Sequence, residues 1–289
     1  MSTLQTLESI LAAIRPGNIP PSHKVAMNEF RQEVCEFIQQ RFPLHHERAG
    51  EPRRMGSKEK GTDIAQSYDL DLIVPFCFNY KNGPKGMKAS LLHALQGHRY
   101  QFATKIRDQR VSIGLRREFV GHTLAIDIVP GMEKSLKSFN DNSAKEDDKD
   151  LILYDRESNR QRTTNIARQV RLIKEKMLHY RDVVRLLKAW RKKSGHPISS
   201  YALELLVSQA ATAKAAPKTG SIDKLLNYTL QHAIPFLQQN GTLQDIGANY
   251  PWEDYLRNSG AKTQLAGLWK KLLHSLDQGS DASIRANFL

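Results

Sequence analysis

Apolar residues near the start of the chain recur at helical intervals. Leu4, Leu7, Ile10 and Leu11 fall on one stripe, Pro16 to Pro21 interrupts it, and Phe30, Val34, Phe37 and Ile38 resume it within Val25 to Phe42. The first 42 residues are therefore predicted to be helical. Past a polar stretch the period drops to two. Leu70, Leu72 and Val74 alternate with Asp69, Asp71 and Ile73, and Val111, Ile113 and Leu115 form a second run. A turn at Gly121 then leads into Leu124, Ile126 and Ile128, and Lys88 to Tyr100 suits a short helix between the strands. Residues 139–165 are poorest in apolar pattern, and their charge run Lys145 to Asp150 reads as solvated surface loop. From Ile166 the helical period returns: Ile166, Val170, Ile173, Met177, Tyr180, Val184 and Leu187 make one face of a long helix. Gly195, His196 and Pro197 end it, and a second helix starts near Tyr201. Stripes around Leu225 to Leu237 and Leu265 to Leu276 keep the remainder helical. The outline is α+β: helices, a mixed sheet, then an all-helical half, with a boundary between 165 and 166. No internal repeat points to a solenoid or propeller.

Composition narrows the class. A chain of 289 residues, 40% hydrophobic and 25% charged, suits one large globular domain or two modest ones. No apolar run approaches the ~20 residues of a membrane helix, and the longest, Leu72 to Phe78, contains Pro75. The start, Met1 to Arg15, lacks early positive charge and carries Glu8, which argues against a secretory leader. Cys35 and Cys77 are too few to staple a fold of this size and lie in apolar surroundings. The expectation is a cytoplasmic protein with reduced core thiols and no membrane association. Forty-three Lys and Arg against thirty Asp and Glu leave a net charge of +13, which suits an anionic partner such as nucleotide or nucleic acid. Ordinary solubility explains the same charge, so the motifs must decide.

The chemistry concentrates between 56 and 74. Gly56-Ser57 precedes by twelve residues a strand that opens Asp69-Leu70-Asp71. Alternate side chains share a strand face, so Asp69 and Asp71 project together while Leu70 and Leu72 enter the core. Two carboxylates side by side repel unless a cation lies between them, and hard oxygen ligands of this kind suit Mg²⁺. Asp127 interrupts a second apolar strand, Thr123 to Val129. If the two strands are neighbours, three carboxylates face one site and can hold two metals for an in-line phosphoryl displacement. Gly56, lacking Cβ, lets backbone approach a phosphate, and Ser57 donates to it through hydroxyl and N–H. Singly, each piece has an ordinary explanation: a solvated strand end, a turn, an exposed aspartate. The conjunction of all three is what carries the reading.

These residues resemble the signature of the DNA polymerase β-like nucleotidyltransferases. The stretch Gly56 to Val74, with Lys60-Gly61-Thr62 inside it, is similar to the oligoadenylate synthetases and the bacterial cGAS/DncV-like nucleotidyltransferases, and Asp127-Ile128-Val129-Pro130 to their third-ligand strand. Val184 to Trp190 followed by Ser199 to Leu206 resembles their paired helices. Leu153-Tyr154-Asp155 and Thr163-Thr164-Asn165 are similar to the segment leading into the long helix of the bacterial members. The likeness covers roughly residues 50–210 and has no matching motif beyond about 215.

The resemblance implies a catalytic lobe over 1–165, a helical lobe over 166–289, and an active site in the cleft between them. It implies Asp69, Asp71 and Asp127 as holders of two Mg²⁺ (Mn²⁺ in their place), with Gly56, Ser57, Lys188 and Ser200 on the triphosphate and Tyr201 stacked on the base. Independently, Lys188 sits about 100° round the helix from buried Leu187, where a long side chain can reach out. Ser200 is a natural helix N-cap, and Tyr201 suits a core position. Trp190, Trp252 and Trp269 fit apolar helical patterns and read as core. No zinc-type His/Cys spacing and no P-loop motif is present. From Arg156 to Lys193 there are thirteen basic residues against three acids, a polar helix face or a ridge for an RNA or other nucleic-acid activator over 166–193.

The implied activity joins ATP or other nucleoside triphosphates into cyclic or short linear oligonucleotide messengers. These would be read by a downstream effector protein in bacterial anti-phage signalling. An RNA-tailing enzyme of the poly(A) or CCA-adding kind shares the acids, and a catalytically silent nucleotide or nucleic-acid binding module is the reading outside enzymology.

Overall fold

Period-two alternation builds the sheet where the pattern places it. The computed structural model describes residues 2–67, 69–98, 104–136, 139, 149–239, 241, 243 and 259–289. Trp252, Tyr100 and most of the Lys145 to Asp150 charge run lie outside them. The described chain divides into two units: one comprises Met1–Asn18, Gly61–Gln66 and Arg171–Leu289, the other Ile19–Lys60 and Ser67–Val170.

The second unit holds a mixed sheet. Its strands are β1 (Arg53–Met55), β2 (Asp69–Phe76), β3 (Lys105–Asp108), β4 (Ile113–Phe119), β5 (His122–Glu133), β6 (Leu151–Asp155) and β7 (Arg160–Thr164). The order is β1-β2-β5-β4-β3, with β6 joining the far end of β5 and β7 joining β6. Among the described strands, β2 and β5 pair parallel and the other neighbours antiparallel. One sheet face supplies Leu70, Leu72, Val74 and Phe76 from β2 and Leu124, Ile126 and Ile128 from β5. These pack with Phe30, Val34 and Ile38 of one helix (Pro21–Arg41) and Met87 and Leu91 of another (Gly83–Gly97). Ile73 and Val129, on the opposite face, enter a smaller cluster with Ala49, Phe139, Leu151 and Leu153. That face is covered at one end, and Asp69, Asp71 and Asp127 occupy its other end.

One expectation changes in this unit. Residues 139–165 are not all surface loop, because 151–155 and 160–164 pair as a hairpin. The sequence hides it because β7 is Arg-Gln-Arg-Thr-Thr, with little apolar alternation. Asp155, wholly buried, is held there by ion pairs with Arg110 and Arg162.

The other unit is helical. Leu7, Ile10, Leu11 and Ile14 of α1 (Thr3–Ile14) share a core with Val184, Leu187, Leu203, Leu206, Leu226, Leu230, Trp269 and Phe288. The N-terminal helix therefore belongs with the C-terminal ones rather than with the sheet, as does the short segment Gly61–Gln66, whose Ile64 enters the same core. Amphipathicity alone does not say which core a stripe joins.

The long helix expected from Ile166 is interrupted. An α-helical stretch (Ile166–Arg171) runs into a π-helical turn (Leu172–Lys176) and a 3₁₀ turn (Leu178–Tyr180) before a regular helix resumes at Arg181–Ser194. The stripe stays inward, since Ile173, Met177, Tyr180, Val184 and Leu187 are all buried. Ile166 packs on the sheet unit's small cluster, whereas Ile173 onward serves the helical core. One uninterrupted period thus addresses two cores, and the irregular backbone falls where the chain passes from one to the other.

Trp190 and Trp269 are buried edge-to-face at 6.1 Å, as a core position requires. Cys35 and Cys77 are both unbridged thiols, and burial raises the pKa of each. Among the described residues, no helix is long and apolar enough to cross a membrane.

Candidate active site

The parallel pairing of β2 with β5 fixes the acids. Its register sets Asp71 directly beside Asp127, with Asp69 opposite Ala125 two residues earlier on the same face. Neighbouring strands lie about 4.8 Å apart, so the backbone holds two carboxylate-bearing positions within reach of one small ion. Asp69 is exposed and Asp71 partly buried, while Leu70 and Leu72 are buried on the reverse face.

Gly56 is tied to this arrangement. It lies in the left-handed region (φ +73°), and a Cβ there would sit 1.8 Å from Asp71 Oδ2. Glycine is required both for the turn and for the room its absent side chain leaves to the carboxylate. Ser57 follows in the first turn of a short helix (Gly56–Lys60) that begins where β1 ends, so the Gly-Ser pair stands beside the acids within one unit.

Asp127 is held more closely than the sequence suggests. Arg116 Nη1, on β4, pairs with Asp127 Oδ1 at 3.2 Å, and Gln109 Nε2 donates to the same oxygen at 3.3 Å. Among the described residues Oδ2 has no hydrogen-bond partner. Neither Arg116 nor Gln109 is distinguishable by sequence pattern, because both act across strand pairs that only the fold reveals. Gly114, opposite Asp127 on β4, leaves room for them: a Cβ there would sit 2.6 Å from Gln109 Nε2 and 3.1 Å from Asp127 Oδ1.

The donor set fits a hard divalent cation in chemistry and placement: three carboxylates on one face of two adjacent strands, one of them with an oxygen not engaged by hydrogen bonds. Among the described residues, no three His, Cys, Asp or Glu side chains are gathered closely enough to enclose an ion as they stand.

The other expected site residues lie in the helical unit. Lys188 is only 5% exposed, and its Nζ donates to Glu204 Oε1 at 2.7 Å, Thr62 Oγ1 at 2.9 Å and the Thr62 carbonyl at 3.2 Å. Thr62 Oγ1 in turn donates to Glu204 Oε1 at 3.0 Å. With Arg185 donating to the Gly61 and Asp63 carbonyls, this network fastens Gly61–Gln66 to the helices. No sequence pattern marks Glu204 as a partner, since an acid sixteen residues on meets Lys188 only through helix packing.

The helix expected near Tyr201 is Ser200–Thr212, and its N-cap is Ser199, whose Oγ accepts from the Ala202 N–H at 3.0 Å. This corrects the assignment to Ser200: in a Ser-Ser pair only the residue with extended backbone caps, and Ser199 has φ −70° and ψ 151°. Ser200 Oγ accepts from Arg191 instead. Burial holds the Arg191 guanidinium below its ordinary pKa. Tyr201 is partly buried against the helical core.

The basic stretch from Arg156 to Lys193 divides in two. Arg162, Arg168, Arg185 and Lys188 turn to Asp155, Asp150, Asp182 and Glu204. Arg171, Lys174, Lys176, Lys192 and Lys193 are exposed; the first three lie at and within the π-helical turn and the last two near the end of the helix Arg181–Ser194, rather than along one continuous helix.

No protein-family model matches the chain, and no curated protein matches it by sequence. Solved structures do. The CdnC protein of E. coli MS115-1, solved with ATP, is 18% identical over 98% of this chain and 95% of its own, with a TM-score of 0.67. The CD-NTase CdnG of Bradyrhizobium diazoefficiens, in complex with GTP, is 15% identical over 99% and 95%, with a TM-score of 0.73. The CdnE cyclic dinucleotide synthase of Elizabethkingia meningoseptica, with GTP and Apcpp, is 15% identical over 93% and 98%, with a TM-score of 0.65. The fold of this chain is the cGAS/DncV-like nucleotidyltransferase fold.

Proposed function

We propose that the protein is a divalent-metal-dependent nucleotidyltransferase that joins nucleoside triphosphates into cyclic or short linear oligonucleotides. The carrying observation is the β2/β5 register, which sets Asp71 beside Asp127 with Asp69 on the same face and the Gly56 backbone against Asp71. The fold likeness supports it, because the similar structures include ones solved with ATP or GTP and one described as a cyclic dinucleotide synthase.

In this reading Asp69, Asp71 and Asp127 hold Mg²⁺ or Mn²⁺, which when bound neutralises phosphate charge and eases ionisation of the attacking hydroxyl. Gly56 and Ser57 receive the triphosphate through backbone N–H groups and the Ser57 hydroxyl. A ribose hydroxyl oxygen bonds to the α-phosphorus of the donor, the bond from α-phosphorus to the bridging oxygen breaks, and pyrophosphate leaves. Asp127 accepts the hydroxyl proton. Catalysis is chiefly positioning and charge neutralisation. A role in anti-phage signalling through an effector protein, and activation by nucleic acid at the exposed lysines of 171–193, belong to the same proposal.

The test incubates purified protein with labelled ATP, GTP, CTP and UTP plus Mg²⁺ or Mn²⁺, with and without double-stranded RNA. Asp69→Ala/Asp71→Ala is the control. Phosphatase-resistant products absent from the control are expected of a cyclic product, and phosphatase-sensitive ladders of a linear one. Lengthening of added RNA, with no product from nucleotides alone, would replace the proposal with a tailing enzyme.

A further inference from the structure

The turn between β3 and β4 is built more firmly than a surface hairpin needs. Lys88, 3% exposed, reaches from its helix to pair with Asp108 Oδ1 at 2.8 Å and to donate to the carbonyls of Gln109 and Arg110, the second at 3.1 Å. The Gln109 N–H closes the turn on the Ser112 carbonyl at 3.0 Å. Arg110 anchors its far side to buried Asp155 at 2.7 Å. Three separate ties thus hold the turn, and from it the Gln109 side chain reaches Asp127.

The orientation of its amide follows from donor and acceptor chemistry. An ionised carboxylate only accepts, so the group facing Asp127 must be the NH₂. The amide oxygen then faces Ser112, whose hydroxyl donates to it. Gln109 Nε2 and Arg116 Nη1 both take Oδ1 of Asp127. Arg116 is itself steadied by the carbonyl of Leu115 at 2.9 Å. Such pairing fixes the carboxylate's rotation and presents Oδ2 alone.

We infer that Gln109 is a positioning residue: the Lys88-anchored turn holds its amide so that Asp127 offers Oδ2 to the metal. This rests on the reading of the three acids as a metal-binding set. Groups that hydrogen-bond to a metal ligand set its orientation, and their loss typically lowers metal affinity or activity by roughly 10–100-fold.

The experiment measures Mn²⁺ binding by electron paramagnetic resonance on the full-length protein, without nucleotide. It compares the wild type with Gln109→Met, Gln109→Glu, Ser112→Ala and Asp127→Asn, and records melting temperature for each. Gln109→Met keeps the side chain's size but removes the donor, and about tenfold weaker Mn²⁺ binding is expected at an unchanged melting temperature. Gln109→Glu sets a second carboxylate against Asp127 and should weaken binding further. Ser112→Ala frees the amide to turn and should weaken it less. In turnover, Gln109→Met should lower kcat while leaving the nucleotide KM near that of the wild type. Wild-type Mn²⁺ affinity in both Gln109→Met and Ser112→Ala would overturn the inference and leave the three-acid reading standing. A wild type that binds Mn²⁺ no better than Asp127→Asn would overturn that reading and the inference with it. If Gln109→Met fails to fold, Ser112→Ala decides alone.

Discussion

Asp127 on β5 and Glu204 on the helix Ser200–Thr212 are both carboxylates set into regular elements, and the chain answers their charge in opposite ways. Glu204, 4% exposed, receives Lys188 and Thr62 and is closed in by helices. Asp127, with its side chain 24% exposed, has Asp71 beside it and gives one oxygen to Arg116 and Gln109. The first arrangement is neutral within itself and contributes to holding a unit together. The second sets carboxylates side by side on adjacent strands and leaves one oxygen of Asp127 open, which suits a site that receives a cation. A carboxylate thus signifies architecture where the fold closes over it with its partners and chemistry where an oxygen is left open to the site.

The comparison breaks most sharply at Asp71. Asp71→Asn should lower nucleotide-joining activity by roughly 10³-fold, while its melting temperature changes little. A parallel fall in stability and activity would mean that Asp71 is structural. Lys188→Met should do the reverse. Leaving Glu204 buried and unmatched costs about 3–5 kcal/mol, visible in chemical denaturation, and Lys188→Met/Glu204→Leu should recover much of it. Unchanged stability with weakened ATP binding would instead return Lys188 to the triphosphate role its sequence context suggests.

Gly56→Ala tests a smaller effect at the junction of the Gly-Ser turn and the acids. The positive φ alone costs about 1–2 kcal/mol, and the new methyl must displace the Asp71 carboxylate, so metal affinity should fall along with stability. The smallest effect concerns His196, stacked on Trp190 and accepting the Ile198 N–H at Nδ1. Burial, with Arg191 adding to it, lowers its pKa below 6.5. Below pH 6.5 the unfolded chain binds the proton first, so stability is complete above that value and declines as pH falls toward the folded pKa. The decline should be shallower in His196→Gln, as melting temperature against pH will show.

The sheet and the acids were readable because period two and charge placement are local properties. Asp69, Asp71 and Asp127 sit in apolar runs where a charge is conspicuous, and the fold then supplies the one missing fact, that their strands are neighbours. Gly56 was readable as a turn but not as the residue that makes space for Asp71. Gln109, Arg116 and Glu204 were not readable at all. Their meaning lies in cross-strand and cross-helix contacts between residues with no sequence relation. The broken helix after Ile166 went unseen for a related reason: hydrophobic spacing records that a residue is buried, not what it is buried against.

The order in which the chain visits its two units also bears on how it can be made. The helical unit takes residues 1–18, gives way to the sheet unit, reclaims 61–66, and resumes only at 171. Thr6 on the first helix donates to Asp281, and Arg285 donates to Ser9 at 3.0 Å, so its earliest and latest segments are joined. During synthesis the first helix must therefore wait for residues 281–285 to be made, while the residues of the sheet unit are complete at 170. A ribosome stalled near residue 210 should carry a sheet resistant to protease and an N-terminal helix that is cleaved.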